Sequence, residues 1–292
     1  RFGMEITDPS DIAGATDFVV FKNAIENGGT VRGIVAKGAA GKLTRKEIDK
    51  LVEHARGIGA KGLAFARLMP DGTASSFAKF LTEDEMAALL NKAGAETGDV
   101  VLIVADKNSV VFDSLGALRC ECAKRLGLLD PFDFKFLWVT EFPLLEYSEE
   151  DGRFYAKHHP FTSPMDEDLQ YIDSDPGRVR AKAYDIVLNG TELLSGSIRI
   201  TDWQLQERMF NALGLTKEEI DAKFGFLVDA YKYGAPPHGG SGMGLDRLAM
   251  VMCGADSLRD VIAFPKVQNA SELMSGCPAP ADPKALAELD LS

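Results

Sequence analysis

Pro236-Pro237-His238-Gly239-Gly240-Ser241-Gly242-Met243-Gly244-Leu245-Asp246-Arg247 reads as a glycine-rich turn running into an amphipathic helix. Leu245, Leu248, Ala249 and Met252 follow the i, i+3, i+4, i+7 spacing of a buried helix face. Glycines admit close backbone approach, and the free N–H groups at a helix start favour an anion. Arg247, in the first helical turn, adds a fixed cation suited to phosphate. The glycines at 240, 242 and 244 miss the G-x-G-x-x-G spacing, and no Gly-Lys-Ser/Thr follows, which excludes the dinucleotide and P-loop fingerprints. On the local pattern alone, a turn followed by a surface-paired arginine fits equally well.

Upstream, Asn189-Gly190 sits between two strand-like runs, Tyr184–Leu188 and Thr191–Ile200, a strong hairpin signal. A two-residue loop sets Val187 opposite Glu192 and Asp185 opposite Leu194, so Asp185 and Glu192 share one face as diagonal neighbours. Two such carboxylates can share Mg²⁺ that bridges nucleotide phosphates, although a solvated polar face is the commoner case. Strict alternation puts Arg199 on the other face; a one-residue bulge near Ser195-Gly196 is expected if Arg199 is functional. In His158-His159-Pro160-Phe161-Thr162 the adjacent histidines point opposite ways along an extended segment, a poor arrangement for one metal. One of them can meet a carboxylate ligand while the other packs; a loop pair without function fits the spacing too. Neither a serine nor a cysteine nucleophile constellation is evident.

The segment from about Ser10 to Val111 has a grammar of its own. Val31–Ala36 reads as a strand, followed by the glycine loop Lys37–Gly41, whose flanking Lys37 and Lys42 read as solvated turn lysines. Thr44 with Glu47, and Thr82 with Glu85, read as capping boxes opening two helices. Leu63–Leu68 and Val100–Ala105 read as strands, with Pro70-Asp71-Gly72 as a turn. A helix from about Ser114 to Leu126 then leads to a strand at Phe136–Pro143, and the stretch after Pro278 reads as a short helix packed at an edge.

The chain has 292 residues, 46% hydrophobic and 26% charged, the balance of a globular protein with one large or two medium domains. A net charge of −12 argues against broad nucleic-acid binding by this chain alone. No run approaches the roughly 18 apolar residues of a membrane span. Cys120, Cys122, Cys253 and Cys277 form neither C-x-x-C pairs nor a disulfide framework, which points to a reducing cytoplasm.

Together these motifs resemble the C-terminal part of a bacterial-type aspartyl-tRNA synthetase of class II. The resemblance is carried by Phe142-Pro143, His158–Thr162, Asp185 to Arg199, Gly244–Arg247 and Arg259-Asp260-Val261-Ile262-Ala263-Phe264-Pro265-Lys266, the last two looking like motif 3. Residues 12–113, with Arg32-Gly33-Ile34 and the following Gly116-Ala117-Leu118-Arg119, look like the GAD insertion of the bacterial enzymes. The resemblance implies an α+β fold: residues 1–11 begin the catalytic domain, 12–113 form the inserted α+β GAD domain, and 114–292 form a partial antiparallel catalytic sheet.

It also implies aspartate activation with ATP as substrate, transfer to tRNA, a homodimeric full-length enzyme, and no membrane. Arg247 would hold the γ-phosphate, Gly244, Leu245 and Asp246 would line the nucleotide pocket, and Asp185 and Glu192 would hold Mg²⁺ with ATP. Arg199 and His158 would bind aspartate, with His159 and Ser197 as further pocket candidates. Leu193-Leu194-Ser195-Gly196 and Thr201 depart from the Gly-rich run and Arg-Ile-His of the bacterial pattern and resemble archaeal and eukaryotic relatives. An anticodon-binding OB domain, motif 1 and motif 2 find no match. The expectation is therefore an incomplete, inactive piece of the enzyme, with a non-catalytic paralogue or a binding module as the alternative.

Overall fold

The computed structural model describes residues 2–130 and 132–291. The chain divides into two compact units, Arg1–Asp130 and Pro131–Ser292. The first runs α1 (Ser10–Ala13), α2 (Val19–Glu26), β1 (Thr30–Ala36), α3 (Arg45–Ile58), β2 (Ala64–Met69), β3 (Gly72–Ser75), α4 (Glu83–Ala93), β4 (Val100–Asp106) and α5 (Asn108–Leu126). Its sheet has the order β1-β4-β2-β3, antiparallel throughout. The unbroken apolar run of β4 follows from its central place. Val100, Leu102 and Val104 pack into one core with residues of α3 and α5, while Val101 and Ile103 pack into a second with residues of α2 and α4. Cys122 lies buried in α5, and burial pushes its thiol up to about 11, so it behaves as an apolar side chain.

Several local expectations change here. Thr82 and Glu85 do form a reciprocal capping box, with bonds of 2.7 and 3.3 Å. Thr44 starts α3 without a side-chain cap; its own N–H goes to the Lys42 carbonyl at 3.0 Å, and the Glu47 carboxylate is drawn to Lys50 and Arg125. The helix expected from Ser114 starts at Asn108, directly after β4. The single intervening residue, Lys107, donates its N–H to the Asp106 carboxylate at 2.9 Å. Since α5 packs on α3 and the sheet, this unit runs on to Asp130, beyond residue 113.

Lys37 is not a free turn lysine either. Its ammonium meets Asp99 Oδ2 at 2.9 Å and the Gly94 carbonyl at 2.6 Å. Asp99 is 4% exposed and also accepts from the N–H groups of Gly38 (2.8 Å) and Glu96 (2.9 Å), so it ties the glycine loop to the turn before β4. Burial alone would raise its carboxyl, but those two N–H groups and the Lys37 ammonium outweigh burial and hold it below the usual carboxylate range.

The second unit contains β5 (Phe136–Thr140), β6 (Leu145–Ser148), β7 (Arg153–Ala156), β8 (Ala183–Leu188), β9 (Thr191–Ile198), α6 (Trp203–Ala212), α7 (Lys217–Lys232), β10 (Gly239–Met243), α8 (Leu245–Cys253) and α9 (Pro283–Glu288). β10-β9-β8-β5 is a four-stranded antiparallel sheet, and β6-β7 is a separate hairpin. Asn189 (φ 49°) and Gly190 (φ 85°) make the β8–β9 turn, as the two-residue hairpin signal requires. The glycine run expected as a turn is instead strand β10, paired with β9 from Gly239↔Ile198 to Met243↔Leu194. On α8, Leu245 is 74% and Met252 63% exposed, so the expected buried face is not closed; β9 and the short turn at Leu258–Asp260 pack against this helix. α9 likewise buries no residue.

Replacing Asp99 with Ala is expected to cost about 2 kcal/mol in urea unfolding at pH 7. Its folded pKa is depressed, so its contribution is complete above the unfolded carboxyl value of about 3.9 and fades as pH falls through the folded value. The difference between parent and variant should therefore vanish in acid; a difference that persists there would assign the loss to packing.

Candidate functional site

The site is built on the β8–β9–β10 ladder, and one irregularity decides what it displays. Val187 pairs with Glu192, but Ile186 pairs with Leu194, so Leu193 is an extra residue in β9. The expected one-residue bulge is thus present, at Leu193 rather than at Ser195-Gly196, and Asp185 faces Ser195 rather than Leu194. Directly paired residues project from the same face. Glu192 through Val187, Ser195 through Asp185 and Ser197 through Ala183 therefore share one face, and Arg199 continues that alternation. Leu193 turns into the interior, at 3% exposure.

The carbonyls at the bulge are taken by the element that follows β10. Gly244, the N-cap of α8, donates its N–H to the Leu193 carbonyl at 2.8 Å. Arg247 Nη1 donates to the Glu192 carbonyl at 2.9 Å and to Glu192 Oε1 at 3.0 Å. Leu245 and Asp246 lie on the exposed first turn between them. Asp185 is 9% exposed, and its Oδ1 has no hydrogen-bond partner among the described residues. Asp185 and Glu192 remain diagonal neighbours, one buried and one half-exposed.

The arginine end of the face is held by the histidine segment, which runs beside the end of β9 as a short extra strand. Thr162 bridges Arg199, Ser163 N–H donates to the Ile198 carbonyl (2.8 Å), and Ile200 N–H donates to the Phe161 carbonyl (2.9 Å). On the other side Arg199 N–H donates to the His238 carbonyl at 3.0 Å. The Arg199 guanidinium lies against the His159 ring, whose Nε2 is also 3.3 Å from Ser197 Oγ. Partial burial and then the Arg199 charge, with His158 adding a smaller effect, push His159 below the usual histidine value, so it accepts from the guanidinium in neutral form. His158 stacks edge-on against Phe142, with centroids 4.8 Å apart.

His158, His159, Ser195, Ser197, Arg199, Gly240 and Gly242 line a cavity of about 320 Å³. Gly240 and Gly242 pair with Ser197 and Ser195, and a Cβ on either would meet nothing within 4 Å, so both glycines leave space open. Gly196 differs: a Cβ there would stand 2.4 Å from the Gly240 carbonyl oxygen and 2.5 Å from the Tyr184 ring. The cavity pairs a guanidinium and a neutral imidazole at one end with bare backbone at the other. That suits a small carboxylate ligand with a flat group beside it. A larger cavity of about 790 Å³ in the first unit is lined mostly by apolar side chains beside the Lys61–Asp106 pair, and it lacks such convergence. Reading the glycine run as a turn hid the roles of Gly240 and Gly242, although their period of two is itself a strand signal. Ser195 was likewise missed because it depends on the bulge.

A family model of class II tRNA synthetases (D, K and N) matches residues 1–268. The aspartate–tRNA ligase of Ruminiclostridium cellulolyticum is 59% identical over 293 residues, covering 100% of this chain and 49% of that protein. The aspartate–tRNA(Asp/Asn) ligase of Caldanaerobacter subterraneus subsp. tengcongensis is 58% identical, with the same coverage. Among solved structures, the asparaginyl-tRNA synthetase of Entamoeba histolytica with asparaginyl-adenylate aligns at 22% identity and a TM-score of 0.37, over 54% of this chain and 29% of that one. The chain spans about half the length of the curated relatives it matches.

The two kinds of glycine separate experimentally. Gly196→Ala forces a backbone and an aromatic ring apart and is expected to cost about 2–3 kcal/mol in urea unfolding. Gly242→Val places its side chain in open space; it should leave the unfolding midpoint unchanged or higher while abolishing binding of a small carboxylate in the cavity, checked by calorimetry with succinate.

Proposed function

Because the chain belongs to the class II tRNA synthetase family (D, K and N), we propose that it forms the aspartate- and ATP-binding half of an aspartate–tRNA ligase. The observation that carries this reading is the Leu193 bulge, which gathers Asp185, Glu192, Ser195, Ser197 and Arg199 on one face beside Arg247.

In the first step an α-carboxylate oxygen of aspartate bonds to the α-phosphorus of ATP as the bond to pyrophosphate breaks. In the second, the tRNA 3′-terminal ribose hydroxyl attacks the aspartyl carbonyl, AMP leaves, and the hydroxyl proton is released. Neither step needs a protein nucleophile; the residues position the groups and offset charge. Arg199 grips the side-chain carboxylate of aspartate in a two-pronged bond, and the neutral His159 beside it leaves that charge unopposed. An asparagine amide would set its N–H₂ donors against the guanidinium donors. His158, at the cavity wall against Phe142, contacts the amino acid, and Ser197 keeps the His159 ring in place. Gly244–Asp246 line the nucleotide pocket and Arg247 receives the γ-phosphate.

The donor set also fits a Mg²⁺ ion brought with ATP. Asp185 Oδ1 is a buried acceptor without a donor among the described residues, and Glu192 offers a half-exposed carboxylate on the same face. Among the described residues no third His, Cys, Asp or Glu joins them, as suits an ion that draws its other ligands from phosphate and water. Such an ion, when bound, offsets charge on the triphosphate. Glu192 would help hold the ion and Arg247, paired with it here, would take phosphate oxygens.

ATP–pyrophosphate exchange by the full-length polypeptide carrying this sequence should depend on L-aspartate; exchange driven by asparagine or lysine instead would overturn the assignment. Arg199→Lys should lower kcat/KM for aspartate by about 10- to 100-fold, the value of a charged hydrogen bond. The 292-residue chain by itself should support no exchange, since among the described residues β10 leaves the sheet of the site open at that edge, with all five residues exposed.

A further inference from the structure

α6 carries a glutamine where its pattern calls for an apolar residue. Gln206 lies three residues from Met209 and four from Phe210 on the face that packs into the unit, and like them it is fully buried at 0% exposure. Its Nε2 donates to the Pro160 carbonyl at 2.8 Å, but its Oε1 has no hydrogen-bond partner among the described residues. A methionine of similar size would fill the same space without the orphan Oε1 but also without the donor to the Pro160 carbonyl, so it is that bond and not packing that accounts for the amide.

The accepting carbonyl lies at the bend of the histidine segment. Pro160 has no N–H, so this residue cannot be anchored through its own backbone donor. Immediately before it, His159 meets Arg199 and Ser197; immediately after it, Phe161 is fixed by Ile200 N–H and by the rings of Phe210 and Phe224. Phe161 N–H also donates to His159 Nδ1 (3.2 Å) and Thr162 N–H to the His159 carbonyl (3.3 Å), so the ring is tied to the bend itself, and the bond from Gln206 to the Pro160 carbonyl joins that bend to α6.

We propose that Gln206 is a positioning residue: its buried amide sets the bend at Pro160 and thereby holds the His159 ring, and through it the Arg199 guanidinium, in the geometry that accepts a carboxylate. The role in substrate binding rests on the proposed function above; the positioning of His159 does not.

Gln206→Met tests it with two readouts. In exchange by the full-length enzyme, KM for aspartate should rise about tenfold or more, as misplacement of a binding group does, while KM for ATP changes less than about twofold. Thermal unfolding should stay near the parent midpoint, because the orphan Oε1 is removed while the Pro160 carbonyl loses its donor. In this chain, with its four histidines, imidazole NMR should show the His159 titration moving up toward the ordinary histidine value as the ring leaves Arg199, with His158 the other ionisable neighbour. Gln206→Asn, too short to reach Pro160, should behave like Gln206→Met, and Gln206→Glu should recover the aspartate KM only at acid pH, where its carboxyl can donate. An unmoved His159 titration would overturn the proposal, as would equal rises in both KM values with a lowered melting point. A moved titration in an enzyme that shows no aspartate-dependent exchange would refute the ligase reading and leave the positioning intact.

Discussion

A single extra residue in β9 governs the second unit. At Leu193 the ladder loses its register, and the displaced carbonyls need other donors. Gly244 and Arg247 supply them, from a helix more than fifty residues downstream. The bulge, the start of α8 and the orientation of Arg247 therefore form one arrangement. Without the bulge Glu192 would project from the opposite face to Ser195, Ser197 and Arg199, and the acidic and basic ends of the site would be separated by the sheet. With it, the acidic and basic groups share one surface.

The parts of the fold set by local chemistry were legible in the sequence. Asn189-Gly190 specified its hairpin, Thr82 and Glu85 their capping box, and the Val100–Val104 run a strand covered on both faces. The misreadings arose where a distant partner prevailed over a local one. Glu47 is captured by Arg125, remote in sequence, and Thr44 goes without its box. Gly239–Met243 has poor strand propensity and looks like a turn, yet β9 supplies a full row of ladder partners, and tertiary pairing decides its state.

The site followed the same division. Residue types and spacing marked Asp185, Glu192, Arg199, the histidines and Arg247, and the need for a bulge was inferable from alternation alone. Its position was not, because the donors that stabilise it come from α8. The pairing of Arg199 with His159, and the burial of Gln206 against Pro160, were likewise beyond reach. They depend on a segment some forty residues upstream lying beside the end of β9. A polar residue inside an apolar helical stripe was the available signal for Gln206, and only a packed structure shows what it bonds.

β10 has a consequence for the behaviour of this polypeptide in concentrated solution. It ends its sheet among the described residues, with N–H and C=O groups free to template another extended segment. Three of its five residues are glycine, which lack side chains to interlock with a stranger. Stray pairing would thus find backbone donors and acceptors but no lateral grip and no preferred register. The bareness that keeps space open for a ligand also makes this border a weak seed for aggregation, so colloidal stability and ligand capacity are favoured by the same missing atoms.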